Sequence, residues 1–356
     1  MDHTYCVIMA GGRGERFWPL STDRVPKPFI KLIGDKTMIR MTVERVLRLV
    51  PKERIFLVLG REHVEVARAQ LPDLPEGQFI AEPAGRDTAP CIGLAATVLL
   101  RRDPAATMIV LPADQYIPDE DAFVRTASAA VEWAVRGDYL VTIGITPTRP
   151  ETGYGYIRAG EGMAGVEGGS CFRVDRYVEK PDEAAAVRYL AEGGYYWNSG
   201  IFIWRARVVL EGIEAHMPPL WEGLEAIGRA AAAEDAGGVA DRFRGLQRIS
   251  IDYGLMEKAD NVLMVKADFA WDDVGSWGAL RRVMKLDASG NYLRGNPVCV
   301  DTSDCVICGE GVRVGAVGVS NLIIVASGEG VLVCDLARDQ DARLVARMMG
   351  RGETGA

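Results

Sequence analysis

Gly11, Gly12 and Gly14 follow directly on the apolar run "YCVIM", Arg16 comes two residues later, and Lys27 stands between Pro26 and Pro28. Glycines at a strand end let the backbone reach unusual angles and bring N–H groups close to an anion. A guanidinium offers a planar fork for phosphate oxygens, and a lysine between two prolines is a compact cation on stiff backbone. Together these residue types point to the holding of a phosphate. Two familiar phosphate loops do not fit: G-x-G-x-x-G would need its third glycine at Phe17, and G-x-x-x-x-G-K-[ST] is absent. For the glycines alone, a plain turn beside two surface cations stays open.

Acidic groups stand elsewhere in the chain. Asp114 ends the run "MIVLPAD", and Asp272 and Asp273 sit among aromatic residues in "FAWDDVGSW". A lone aspartate after a strand is commonly a turn residue, but a second acidic cluster in an apolar setting raises the case for a shared role. Cys305 and Cys308 form C-x-x-C with Cys299 nearby. Zinc wants four ligands, and neither a second pair nor a nearby histidine accompanies them. Buried structural thiols on a strand are the better reading.

A formal net charge of -8 over 356 residues argues against a nucleic-acid coat or a binder of anionic membranes. A phosphate ligand would therefore need local cations. The longest apolar stretch, around 91–100, falls far short of the roughly 20 residues of a membrane span. Seven cysteines, an odd number scattered along the chain, do not outline a disulfide framework. With no targeting segment expected, a reducing cytoplasm is the simplest home.

The elements that must position these residues begin with strand-like runs at 5–10, 55–60, 79–82, 108–114 and 140–145. Between them, helical periodicity covers 37–49, 61–71, 87–102 and 119–135. This alternation predicts an α/β fold, a Rossmann-like, mainly parallel sheet with helices on both faces. Ligands then gather outside the carboxyl ends of the strands, at the loops after 10, 82 and 113. From 146 to about 285 strand pieces mix with helices near 182–192, 206–215 and 219–233, and 230–238 reads as an exposed helix end and turn. After about 290 very short β segments separated by Gly, Asp, Asn and Ser predict a small β-solenoid that ends in a helix. The expected domains are 1–287 and 288–356. The apolar rungs of the second could serve a subunit contact, so a homodimer stays open.

The stretch "AGGRGERFWPLSTDRVPKPF" resembles the signature of the sugar-nucleotide pyrophosphorylases, nucleotidyltransferases acting on sugar 1-phosphates; glycine loop, arginine, Pro-Leu and Pro-Lys-Pro all fall at the family's spacing. "AEPAGRDTAPCIGLAA" (81–96) resembles the guanine-binding segment of the mannose-1-phosphate guanylyltransferases among them. The resemblance implies a GT-A-like nucleotidyltransferase domain with a β-helix-like extension. It implies that Ala10, Gly11, Gly12, Gly14 and Arg16 hold the triphosphate, with Lys27 countering charge at the reacting phosphate. Glu82, Gly85, Arg86 and Thr88 would face the nucleotide. Asp87, Thr88 and Pro90 also suit the start of a helix on plain capping grounds.

Magnesium takes one or two carboxylates together with phosphates and water. In the family pattern W-x-D-x-G the ligand matches Asp273, with Asp114 as its partner, and Asp272 is left without a role. Gln115 stands where the family often has histidine. Gly153, Glu179, Lys180 and Asn198 fall in segments that resemble the family's sugar-phosphate pocket, and "ISIDYGLMEKA" continues the likeness. The expected reaction joins GTP to mannose 1-phosphate with Mg²⁺, giving GDP-mannose and pyrophosphate. Within the family, another hexose 1-phosphate or another nucleotide stays open, and two other classes compete. A glycosyltransferase would want a D-x-D after a strand, which here occurs only late, at Asp119 to Asp121. A non-catalytic homologue would be expected to have lost Arg16, Lys27 or the acids, and all are present.

Overall fold

The computed structural model describes residues 1–12, 14–167 and 169–350, so the last six residues of the expected second domain lie outside the described residues. Nine strands make the main sheet: β1 (Thr4–Met9), β2 (Ile55–Gly60), β3 (Phe79–Glu82), β4 (Thr107–Pro112), β5 (Leu140–Ile145), β6 (Tyr156–Met163), β7 (Cys171–Val178), β8 (Tyr195–Arg205) and β9 (Val262–Lys266). Their order is β3-β2-β1-β4-β8-β5-β9-β7-β6. The first four are mutually parallel, as are β5 and β9. β8 runs against both β4 and β5, so the sheet is mixed beyond its first half.

Strands buried on both faces read as unbroken apolar runs, which is what β1, β2 and β4 are. Along β1, Cys6 and Ile8 point to one core and Tyr5 and Val7 to the other. The first core is covered by α1 (Met38–Val46), α2 (Val64–Gln70) and α4 (Glu120–Arg136); the second by α3 (Thr88–Arg102), α6 (Ala206–His216), α7 (Pro218–Ala232) and α8 (Ala236–Gly245). The short α5 (Glu183–Glu192) joins the first group. Aspartates start several helices: Asp119 accepts from Ala122 N (2.9 Å) and Asp182 from Ala185 N (2.7 Å). The turn expected within 230–238 is present, but a further helix, α8, follows at once. Two glycines in its first turn hide it, while the Asp235 cap and the burial of Ala240 and Phe243 hold it.

After α9 (Leu280–Val283), β10 (Tyr292–Arg294), β12 (Val306–Gly309) and β14 (Leu322–Ser327) stack in parallel, and β11 (Val298–Val300) pairs in parallel with β13 (Gly315–Val317). This is the coil of a short solenoid. Asn296, Asp301, Asp304 and Asn321 take positive φ at its corners, the short polar side chains that tolerate left-handed backbone best after glycine. β15 (Gly330–Asp335) folds back antiparallel on β14, and α10 (Ala342–Gly350) closes the described chain. Cys305 and Cys308 are both buried, and they point into different apolar clusters. No helix among the described residues is long and apolar enough to cross a membrane.

Candidate active site

The carboxyl ends of β1, β3, β4 and β9 open on one edge of the sheet, and the direction of winding switches beside β1: the chain runs outward from β1 to β2 and β3, then crosses back to β4 on the other side of β1. The loop after β1 turns at Gly14, whose φ is +64°. A Cβ there would stand 2.3 Å from Lys27 Cβ, so both the turn and the close approach require glycine. Lys27 thus lies directly under the loop, and only 6% of it is exposed. Its Nζ donates to the Asp273 carbonyl (2.6 Å) and the Asp114 carbonyl (3.1 Å) and pairs with Asp114 Oδ2 at 2.9 Å. Arg16 Nη1 donates to the Gly275 carbonyl at 3.1 Å. Residues separated by up to 259 positions meet at this strand end.

The two neighbouring acids divide cleanly. Asp272 is buried and committed to structure: it accepts from Val274 N (2.8 Å) and from Arg282 (3.1 and 3.3 Å), and its backbone forms a bridge with Tyr116. Asp273 faces Lys27 and accepts from the Tyr154 hydroxyl at 2.5 Å. Burial raises its pKa; the charges of Asp272 and Asp114 push the same way, against Lys27 and Tyr154. The Asp273 carboxylate, together with the Asp114 carboxylate that pairs with Lys27, outnumbers the one ammonium and leaves a net negative charge of hard oxygen donors. That fits a divalent magnesium ion completed by phosphate and water. Among the described residues no group of three or more His, Cys, Asp or Glu side chains that could hold a metal ion is gathered at any site, this one included, so an ion on Asp114 and Asp273 would have to be completed by phosphate and water.

At the end of β3, Glu82 is 5% exposed and its Oε1 has no partner. Burial lifts its pKa to about 7, opposed by hydrogen bonding from the Cys91 thiol and aided by the charge of Glu62. Its other oxygen lies 3.8 Å from where a Cβ on Gly11 would stand, so the carboxylate faces the glycine loop. Gly12 and Gly85 border open space. The other two expected nucleotide residues are engaged in the fold. Arg86 donates to the Arg244 carbonyl in the last turn of α8. The Thr88 hydroxyl accepts from Ile251 N (2.8 Å), and Asp87 accepts from Thr88 N (2.8 Å) at the start of α3.

A third group lies across β5, β6, β7 and β8. Asn198 donates through Nδ2 to Asp252 (2.9 Å) and accepts through Oδ1 from Thr142 (3.2 Å) and Gly200 N (3.1 Å). Tyr177 donates to the same Asp252 oxygen at 2.6 Å. Asp252 has its pKa raised to about 6 by burial and by Glu179. Glu179, little exposed, pairs with the more exposed Lys180 at 2.9 Å, and Gly155 leaves room for its carboxylate. Gly153 is one residue from Tyr154 and donates to Glu151 (3.1 Å). Gln115 is buried and donates to the Ser199 carbonyl, tying the Asp114 loop to the Asn198 turn. Reasoning from sequence singled out neither Tyr154 nor Asp252. Tyr154 adjoins Gly153 and Asp252 lies in "ISIDYGLMEKA", but a tyrosine among glycines and a lone aspartate carry no local signal of their partners.

Residues 5–290 match the nucleotidyl transferase family, and residues 295–348 match the MannoseP isomerase/GMP-like beta-helix domain. A mannose-1-phosphate guanylyltransferase of Escherichia coli is 38% identical over 97% of this chain and 73% of its own length. The alginate biosynthesis protein AlgA of Pseudomonas aeruginosa is 37% identical over 98% of this chain and 73% of its own length. A crystal structure from Thermus thermophilus, described as a mannose-1-phosphate geranyltransferase, superposes with a TM-score of 0.88 at 38% identity, covering 98% of this chain and 99% of that one. With its glycine loop, buried lysine and paired carboxylates gathered at one strand end, the chain belongs to the nucleotidyl transferase family, among the mannose-1-phosphate guanylyltransferases.

Proposed function

We propose that this protein transfers GMP from GTP to mannose 1-phosphate, forming GDP-mannose and pyrophosphate. What supports it most is the Lys27 ammonium lodged between Asp114 and Asp273 beneath the Gly14 turn: cation, carboxylates and glycine loop meet where two polyanions would have to be brought together. The attacking sugar-phosphate oxygen is already ionised, so no general base is needed. A bond forms from that oxygen to the α-phosphorus of GTP while the bond to the bridging oxygen of the β-phosphate breaks, and pyrophosphate leaves as an anion. Catalysis is then alignment and charge neutralisation.

In this reading the backbone of Ala10, Gly11, Gly12 and Gly14 and the guanidinium of Arg16 hold the triphosphate. Lys27 holds Asp114 in place through their ion pair and offsets the repulsion between reactants. Nucleotidyl transfer uses a divalent ion; magnesium, held by Asp114 and Asp273, would draw charge from the phosphate oxygens. Glu82, once ionised, suits the N1–H and 2-amino donors of guanine, which adenine does not present. Glu179, Lys180, Asn198 and Gly153 would border the sugar phosphate, with Asp252 and Tyr177 orienting Asn198. We take 1–287 as the catalytic domain and the remainder as the solenoid.

Pyrophosphate release measured with four nucleoside triphosphates against three hexose 1-phosphates tests this. GTP with mannose 1-phosphate should give the highest kcat/KM. Faster turnover of another pair would reject the assignment, and no release with any pair would leave a glycosyltransferase or a non-catalytic role.

A further inference from the structure

The C-terminal β-helix carries none of the residues assigned above, yet it grips both loops that do. On the glycine-loop side, Trp18 packs where a Cβ on Gly330 would stand, at 2.9 Å, and Ser327 Oγ donates to the Pro19 carbonyl at 3.1 Å. Arg347 Nε on α10 pairs with Glu15, the neighbour of Arg16, at 2.7 Å. On the acidic side, Asp339 accepts a hydrogen bond from the Ser276 hydroxyl, three residues beyond Asp273. Ser276 is 4% exposed, and the Asp339 carboxylate reaches over Gly278, where a Cβ would stand 2.6 Å from it. The two loops also touch each other, since Trp277 meets Phe17 edge-on at 5.1 Å and donates from Nε1 to the Trp18 carbonyl at 3.3 Å.

Between these contacts the acidic loop is strained. Val274 has φ +47°, a left-handed conformation that is a genuine outlier for a β-branched residue. Such a residue persists only where the surroundings over-determine it. Asp272 Oδ1 holds Val274 N from one end, and the other end is held by Ser276 on Asp339. Asp273 and Gly275, the two residues that face Lys27 and Arg16, lie inside this clamp.

We propose that Asp339 is a positioning residue for nucleotidyl transfer. By holding Ser276 it fixes the strained turn that sets Asp273 beside Lys27 and presents the Gly275 carbonyl to Arg16. It touches neither substrate nor metal, and its effect runs through the loop. The proposal rests on the reading of Asp273 as a metal ligand and Arg16 as a phosphate-holding group.

The test compares Asp339→Ala, Asp339→Asn, Ser276→Ala and the double variant Asp339→Ala/Ser276→Ala in the full chain. It reads kcat, the magnesium concentration for half-maximal activity, and the thermal midpoint. Because a misplacement of about 1 Å can cost about 100-fold, each alanine variant should lose about tenfold or more in kcat and need several-fold more magnesium. The double variant should be no worse than the singles, since both remove one contact. Asp339→Asn keeps an oxygen that accepts from Ser276 and should recover to within about threefold of the parent. Wild-type kcat and magnesium response in Asp339→Ala, multiplying losses in the double variant, or an Asp339→Asn as impaired as the alanine would each overturn the proposal. Should Asp339→Ala not fold, the Ser276→Ala variant carries the same comparison from inside the loop. Asp273→Asn separates the two levels: full activity there overturns the metal reading and this proposal with it, whereas an inactive Asp273→Asn beside a fully active Asp339→Ala overturns the proposal alone.

Discussion

Adjacent acids of identical type take different fates because only one of them has a full set of local partners. Asp272 is neutralised by Arg282 and pinned to Val274 N, whereas Asp273 meets Lys27 and Tyr154 with its proton affinity raised by burial. Asp273→Asn should therefore cut magnesium-dependent kcat at least about 100-fold while leaving the thermal midpoint near that of the parent; normal turnover would reject the ligand assignment. Glu82 supports a second prediction. Its pKa of about 7, raised from 4.5, means the folded state binds the proton more tightly than the unfolded chain, so this group's contribution to stability falls as pH rises from 4.5 to 7 and is level above. Guanine's donors need the ionised form, so GTP affinity should move the other way, weakening about tenfold between pH 8 and pH 6. Calorimetric titration of Glu82→Gln should show that dependence flattened and GTP no longer preferred over ATP; an unchanged pH profile in that variant would remove Glu82 from the base site. The residue types and spacing showed which side chains could do chemistry. The hydroxyl of Tyr154 and the carboxylate of Asp252 escaped notice because their partners lie 119 and 54 to 75 positions away.

At the scale of elements, the glycine loop works by letting Lys27 come underneath it. Gly14→Ala would place a Cβ against Lys27 Cβ and force alanine into left-handed backbone, a cost of about 1–2 kcal/mol from the backbone alone. Activity should fall further than stability does, because the displaced group is the lysine that pairs with the Asp114 carboxylate and bonds the Asp273 carbonyl; parallel measurement of kcat/KM for GTP and of the thermal midpoint checks this. Strand and helix periodicity were legible through the first part of the chain, where β1, β2, β4 and β5 are buried on both faces and the helices between them pack on the sheet. Two features were not. β8 is an ordinary strand by its residues, and only its insertion between β4 and β5, antiparallel to both, makes the sheet mixed. α8 opens on glycines that argue locally for a turn, and burial of Phe243 overrides them.

For the whole molecule, Phe17, Trp18 and Trp277 share one buried cluster with Val306, Ile323, Val325 and Leu332 of the C-terminal rungs. The solenoid is thus part of the wall behind the glycine loop and the loop that carries Asp273. Ending the chain at residue 287 should expose these aromatic rings and yield a protein that aggregates or lacks a cooperative thermal transition. A soluble, fully active fragment of that length would show that the rungs contribute nothing to the loops.

Local pattern alone determined the alternation of strands and helices, the glycine loop with Arg16 and Lys27 at its spacing, and the family those residues resemble, because periodicity and turn chemistry act over a few residues at a time. Tertiary structure decided that Lys27 stands between Asp114 and Asp273, that Arg86 turns to the end of α8, and that Asp339 reaches Ser276 from another domain. Those pairings join segments brought together only when several buried faces pack at once, and no short window of sequence carries that information.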